Sequence, residues 1–228
     1  GVLREQARRD ASPDLDLFFG KAADQQDQNG SAGVLSFTDA RILAFPVRSL
    51  KGVFCWVTCP QALSRWKRDC EIAGKSVKLP ALEVAENEAL LPQGSPCEHQ
   101  KELILEEFVF KLRPADLGFF SPLAGEELKR LAVIDDTSFS HFAQYATEVT
   151  ARIRLDWQTK TVEDGALFYQ EFLPAESILY SVVLASPSRA NGSSRSARQN
   201  IDAYAPPSFL QIGGEETTGK GLCAVTKS

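Results

Sequence analysis

The chain has 228 residues, 43% of them apolar and 24% charged, and a formal net charge of -5. This apolar content can build a sizeable core, while no apolar run approaches the length that spans a bilayer and no secretory signal opens the chain, so a cytoplasmic protein is expected. The acidic balance argues against a general affinity for nucleic acid: a polyanion would have to be met by local clusters of Lys and Arg.

Gly1 to Arg9 reads as a helix already under way. With no methionine anywhere, the initiator is absent and the chain reads as a fragment. Ser36 to Val47 reads as strand with a turn near Asp39. The segment FPVRSLKGVF, Phe45 to Phe54, predicts a strand running into a helix over Leu50 to Thr58, with Ser49 as N-cap. Arg48 and Lys51 would flank the free N–H groups of its first turn. A helix start is normally supplied with acids, so two cations there point to a third, anionic party such as phosphate.

Pro60 opens a further helix to Ile72. On the helical reading Cys55 and Cys59 lie four apart on one face, but no second close pair completes a tetrahedral metal set. Cysteines 55, 59, 70, 97 and 223 are therefore expected as reduced, mostly buried thiols. Gly74 to Gln100, rich in Pro, Glu and Ser, reads as a loop or an insertion of about 74–102, and Leu103 to Leu112 as strand. Asp136 is the expected cap of a helix over Ser138 to Thr147. His99 and His141 have no serine or cysteine near them in a nucleophile arrangement and are read as structural.

Val149 to Asp156 alternates apolar and polar residues, and Ala166 to Leu173 answers it across a polar connection, which predicts a hairpin over about 149–174. It carries the cations Arg152, Arg154 and Lys160 and the acids Asp156, Glu163, Asp164 and Glu171, which as a group fit solvated hairpin acids equally well. Ser177 to Ala185 reads as a buried strand, followed by a Ser-rich loop with Arg189, Arg195 and Arg198.

Last comes IGGEETTGKGL, in which Gly213, Gly214, Gly219 and Gly221 surround Lys220 between the apolar runs Phe209–Ile212 and Leu222–Val225. Gly214 to Lys220 spells the first seven letters of a nucleotide-binding P-loop. The eighth is Gly221 where Ser or Thr must reach magnesium, so an ATPase is excluded. An ordinary hairpin turn and an anion-binding concavity of exposed N–H groups both remain. Strands and helices mixed without regular βαβ spacing make the fold class α+β.

Four segments together, GVLSFTDARIL from Gly33, FPVRSLKGVF, LDWQTKTVEDGALFYQEFLP from Leu155 to Pro174, and QIGGEETTGKGL, resemble the RAMP superfamily of CRISPR proteins. The resemblance is to the repeated backbone subunit of type III-B (Cmr) effector complexes, and it covers nearly the whole chain in order. It implies a single domain with a ferredoxin-like, RNA-recognition-motif-like antiparallel sheet as palm, inserted elements, and the hairpin as thumb. Its implied partners are guide crRNA, single-stranded target RNA, copies of itself stacked head to tail and other Cmr subunits, with no membrane. RNA would be held through Arg48, Ser49, Lys51, Gly213, Gly214, Gly219, Lys220, Arg152, Arg154 and Lys160. The implied reaction is interval-spaced endoribonuclease cleavage assisted by magnesium or manganese, in antiviral defence. The aspartate that the family relies on lies in the loop after the first strand, which the resemblance puts upstream of Gly1, so the chain as given is expected to be inactive, and Glu171 is the supporting catalytic candidate within it. The alternatives are a backbone subunit that holds RNA without cutting it and, less well supported, a guide-processing endonuclease, for which no histidine lies near the glycine loop.

Overall fold

The computed structural model describes residues 1–21, 30–162, 165–188 and 194–227. In chain order the helices are α1 (Val2–Arg9), α2 (Leu15–Phe19), α3 (Pro60–Ile72), α4 (Gly125–Leu128), α5 (Asp136–Tyr145) and α6 (Ala197–Ala203). The strands are β1 (Leu35–Phe37), β2 (Arg41–Arg48), β3 (Phe54–Thr58), β4 (Glu88–Leu91), β5 (Glu98–His99), β6 (Glu102–Leu105) and β7 (Phe108–Pro114), then β8 (Leu131–Ile134), β9 (Glu148–Arg152), β10 (Phe168–Phe172), β11 (Ile178–Tyr180), β12 (Val183–Ala185), β13 (Phe209–Gln211) and β14 (Leu222–Ala224). They form two compact units, Ala40–Tyr180 and a second made of Gly1–Asp39 with Ser181–Ser228.

The larger unit is built on an eight-stranded sheet in the order β11-β2-β3-β8-β4-β7-β6-β5. The α+β class holds, but the sheet is mixed, not antiparallel: β3 runs parallel to β8 and β4 parallel to β7. A parallel neighbour requires a crossover connection, and α3 lies in the one between β3 and β8. Both faces are covered. Phe45, Val47, Cys55, Val57, Ala89, Leu103, Phe110, Ile134 and Phe142 of α5 fill one core layer. Leu43, Trp56, Leu90, Leu131 and Val133 pack with Leu63 and Trp66 of α3 and with Phe120 in the other. Each fully buried side chain of this size contributes about 1.5–3 kcal/mol.

That double burial explains the main departure from the sequence reading. The expected helix over Leu50–Thr58 does not exist; Ser49–Val53 is a turn and Phe54–Thr58 is the central strand β3. A strand apolar on both faces shows neither the period of 2 nor that of 3.6, so its pattern cannot separate it from a buried helix. Cys55 and Cys59 therefore share no helix face. Cys55 is in the sheet beside Cys97 in the same core layer, and the Cys59 sulfur accepts from the Ala62 N–H at 3.5 Å as the cap of α3. All five cysteines are free thiols, with Cys55, Cys59 and Cys97 buried.

The same ambiguity hid β4. Glu88–Leu91 lies inside the stretch read as a loop, yet it pairs with both β7 and β8 in the middle of the sheet. The β5–β6 hairpin turns on Gln100 and Lys101, at φ 52° and 67°, positions where Asn-Gly would have announced it. At the start of α5 the cap is Asp135, which accepts from the Ser138 N–H at 2.9 Å. Asp136 instead accepts from the Gln61 N–H at 2.9 Å and so closes the first turn of α3.

The edge strand β11 is tied to α3 by a polar knot. The Asp69 carboxylate, largely buried, accepts from the Arg41 guanidinium at 2.9 Å and from the Tyr180 hydroxyl at 2.7 Å. Burial pushes this carboxyl up, but the bonds from Tyr180 and Arg41 and the charges of Arg41 and Arg68 outweigh it and leave the group below its ordinary value.

The expected buried strand over Ser177–Ala185 is two short, half-buried pieces: β11 at the edge of the large sheet, and β12, which pairs with β1 in the smaller unit. Phe18, Val34, Leu35 and Tyr204 form its core, with the Phe18 and Phe37 rings each 5.7 Å from that of Tyr204. Arg195 reaches Asp14 at 2.7 Å, so this arginine of the Ser-rich loop is a structural one. Strands β13 and β14 pair antiparallel and carry the glycine loop between them. Helix α1 falls where the sequence placed it.

Candidate nucleic-acid interface

The hairpin is the first part of the site. Strands β9 and β10 pair antiparallel with Glu171 opposite Val149, Tyr169 opposite Ala151 and Phe168 opposite Arg152. Directly opposed residues share a face and neighbours along a strand do not. Glu171, Tyr169, Val149 and Ala151 therefore line one face, and Arg152 lies on the other with Phe168 and Gln170. The ribbon is exposed: Tyr169 keeps 69% of its surface, Phe168 47% and Trp157 75%. Three uncovered aromatic rings on one hairpin, Tyr169 and Phe168 on its opposite faces and Trp157 at the tip, are stacking positions for bases, which the residue pattern alone did not single out among the charges.

Glu171 is held, not loose. Its carboxylate accepts from the Thr147 hydroxyl at 2.7 Å, on the same face of the ribbon. Asp156 has a different task. One of its oxygens accepts from the backbone N–H groups of Gln158 and Thr159, at 2.8 and 2.7 Å, and from the Thr159 hydroxyl at 3.0 Å. Those bonds, the Thr159 N–H first, lower the Asp156 carboxyl below its ordinary value and fix the tip that carries Trp157 and Lys160. Glu163 and Asp164 lie outside the described residues. Arg154 and Lys160 sit between β9 and β10, Lys160 at φ 58° with its N–H bonded to the Asp156 carbonyl at 2.9 Å.

The expected anion site at Arg48, Ser49 and Lys51 is corrected. No helix begins there, so no row of free N–H groups faces a phosphate. The Arg48 guanidinium instead makes two parallel bonds to Glu106, at 2.9 and 2.8 Å, and that carboxylate raises its affinity for its proton. Ser49 bridges to Leu105, and its hydroxyl is buried. Lys51 is exposed on the turn between Gly52 and β2. Gly52 is needed here: at φ 81° a Cβ would lie 3.0 Å from the Pro96 carbonyl oxygen and 3.1 Å from the Cys97 sulfur.

The glycine loop is a tight hairpin connection containing a 3-10 turn, Glu216–Thr218. Gly213 and Gly219 have φ of 89° and 76°, and Glu215 is also left-handed at 61°, but the Thr218, Gly219 and Lys220 N–H groups donate to the Glu215 and Glu216 carbonyls at 3.0, 3.0 and 3.3 Å, so these three donors are spent within the loop. Gly214 has an ordinary φ and open space around it. The indispensable residue is Gly221, absent from the expected set: at φ 75° a Cβ there would fall 2.1 Å from the Ile212 carbonyl oxygen. The Lys220 backbone carbonyl accepts from the Gln211 amide at 2.6 Å.

A cavity of about 670 Å³ opens at the root of the hairpin, lined by Arg48, Glu106, Glu107, Phe108, His141, Tyr145, Thr147 and Glu148 among others. His141, read as structural, stacks between Phe108 and Tyr145 at 4.9 and 4.8 Å.

A mixed sheet covered on both faces, carrying an exposed aromatic hairpin, defines an α+β protein with aromatic rings open to solvent. The chain belongs to the RAMP superfamily, whose profile matches residues 1–224. It is 35% identical over 241 residues to the CRISPR system Cmr endoribonuclease Cmr4 of Pyrococcus furiosus, covering 99% of this chain and 80% of that protein. The CMR subunit Cmr4 of Saccharolobus solfataricus is 24% identical over 237 residues, 88% of this chain and 73% of its own length. A crystal structure of oligomeric Cmr4 from Pyrococcus furiosus superposes with a TM-score of 0.72 at 29% identity, over 97% of this chain and 80% of that one. The type III-B Cmr-beta complex bound to cognate target RNA contains a chain of the same fold, with a TM-score of 0.71 at 22% identity over 97% of this chain and 79% of that one.

Proposed function

We propose that this chain is the repeated backbone subunit of a type III-B CRISPR effector complex, which holds guide RNA, positions single-stranded target RNA and takes part in cutting it at regular intervals in cytoplasmic antiviral defence. The observation that carries the reading is the identity to a Cmr endoribonuclease along 99% of the chain. Copies of the chain would associate head to tail and dock other Cmr subunits; the oligomeric relative supports this.

Lys51 in the larger unit and the glycine loop with Lys220 in the smaller one would each meet RNA backbone. Bases would stack on Trp157, Phe168 and Tyr169, which gives binding without sequence preference. Arg152, Arg154 and Lys160 supply positive charge along the same hairpin. Glu171, oriented by Thr147, is suited to accept a hydrogen bond or a proton from a ribose 2'-hydroxyl brought to that face. The resemblance also implies magnesium or manganese. Among the described residues no three His, Cys, Asp or Glu side chains come together to hold a metal ion, so these residues do not fit such a cation by themselves and no step is derived through it.

The second reading, a subunit that holds RNA without cutting, is favoured by one observation: Glu171 is the single carboxylate on its face of the β9–β10 ladder, since Asp156 is committed to the turn. The two separate in one experiment. Glu171→Gln in the assembled complex should lower the cleavage rate with RNA affinity unchanged; equal cleavage by both chains removes Glu171 from the reaction, and target that stays bound and intact in the unaltered complex favours the purely structural role.

A further inference from the structure

The cavity at the root of the hairpin has a chemical character that RNA binding does not use. Its wall is a ladder of rings, Phe108, His141 and Tyr145, at successive centroid distances of 4.9 and 4.8 Å. The last rung, Tyr145, is 72% exposed, so the outer face of the ladder is open to a ligand. Around it stand Glu106 and Glu107 beside Arg48, which is itself closed on Glu106 by two bonds. Glu107 enters no ion pair among the described residues. Helix α5 also ends here, with Tyr145, Ala146 and Thr147 in the lining, so the negative end of its ten-residue dipole adds to the same field.

We propose that this cavity is a docking site for the guanidinium group of an arginine carried by a partner polypeptide. An open aromatic face beside the Glu107 carboxylate and a helix C-terminus attracts a cation, and a planar one above all. A guanidinium can stack on Tyr145 while its edge donates to Glu107 in a fork; an ammonium can do only the second. RNA is the poorer fit, because its phosphates would have to pass the carboxylates that ring the opening. The occupant would sit beside Thr147, the residue that orients Glu171, so a neighbouring protein docked here would abut the candidate catalytic face. The proposal rests on the reading above only in needing a protein neighbour.

The direct test follows the aromatic NMR resonances of Tyr145 and His141 in the whole chain during titration with Nα-acetyl-arginine amide, Nα-acetyl-lysine amide, Nα-acetyl-citrulline amide and cytidine monophosphate. The arginine probe should shift both rings saturably with an affinity on the order of millimolar, lysine several-fold more weakly, and neutral citrulline not at all. Tyr145→Ala and Glu107→Gln, both at exposed positions, should each weaken the arginine response by up to about tenfold with an unchanged circular-dichroism spectrum, while Tyr145→Phe keeps it. No response to arginine, an equal response to citrulline, or a preference for the nucleotide would overturn the proposal. In the assembled complex Glu107→Arg should release a protein neighbour and leave the RNA affinity of the chain alone unchanged. Lost RNA affinity with intact assembly would make the cavity a base site and sink the arginine assignment, whereas a chain that binds arginine but no RNA would fail the functional reading and leave this one standing.

Discussion

Gly221→Ala and Gly214→Ala make the same chemical change in the same loop, and the geometry predicts opposite results. At Gly221 the new methyl meets the Ile212 carbonyl oxygen at 2.1 Å and the Gln211 amide nitrogen at 2.9 Å, on a backbone at φ 75°. The left-handed conformation alone costs about 1–2 kcal/mol for a residue with a Cβ. Moving the clash apart also threatens the bond from the Ile212 N–H to the Gly221 carbonyl, 2.9 Å and worth about 1 kcal/mol. The hairpin should therefore lose about 2–3 kcal/mol of local stability. At Gly214 φ is ordinary and nothing lies within 4 Å, so alanine should be neutral or stabilise by up to about 1 kcal/mol through the unfolded chain. Hydrogen exchange at the Ile212 and Val225 amides reads this directly. Protection should fall on the order of 30- to 150-fold in Gly221→Ala and stay or rise in Gly214→Ala. RNA affinity should follow the same order if the loop binds backbone. Equal protection in the two variants would refute the reasoning.

Lys51→Ala should flatten the slope of log affinity against log salt by about 0.7 for one lost single-strand phosphate, whereas Arg48→Ala, already closed on Glu106, should leave it unchanged in filter binding; the reverse order would restore Arg48 as a phosphate ligand. Thr147→Val should slow cleavage in the assembled complex while Thr147→Ser keeps it, with RNA affinity unmoved in both; a serine variant as slow as valine removes Thr147 as the positioning residue for Glu171. Because the Asp69 carboxyl sits below its ordinary value, its contribution to stability is complete above pH 3.8 and disappears as pH falls through the lowered folded value. Urea denaturation of Asp69→Asn should thus show a deficit at neutral pH that shrinks in acid, and a deficit independent of pH would contradict the assignment. Phe142→Ala should cost about 3–5 kcal/mol, because the ring is fully buried between α5 and the sheet; a change below 1 kcal/mol in the same assay would mean that the layer is not packed as described.

Local chemistry made part of this molecule legible. Pro60 at the start of α3, the alternation of Val149 to Leu155 and the flanked glycine loop each produced the element expected of them. Where side chains are buried on both sides the pattern goes silent, and β3 and β4 were lost for that reason, with the helix N-terminus at Ser49 lost along with them. The candidate site divides in the same way. Glu171 and the left-handed glycines stood out by type and spacing. The Thr147 clamp, the Arg48–Glu106 closure and the Phe108–His141–Tyr145 ladder join residues far apart in sequence or bland in type, and only the fold brings them together.

The central claim is tested most directly by assembling the full-length protein that contains this chain with guide RNA and its partner subunits, supplying 5'-labelled complementary RNA with magnesium or manganese, and mapping the products on a sequencing gel. A ladder of cuts at one regular spacing, each band weakened together by Glu171→Gln while target binding persists, is the predicted result. Bound target that stays intact with the unaltered chain, or a ladder indifferent to Glu171→Gln, would contradict the account.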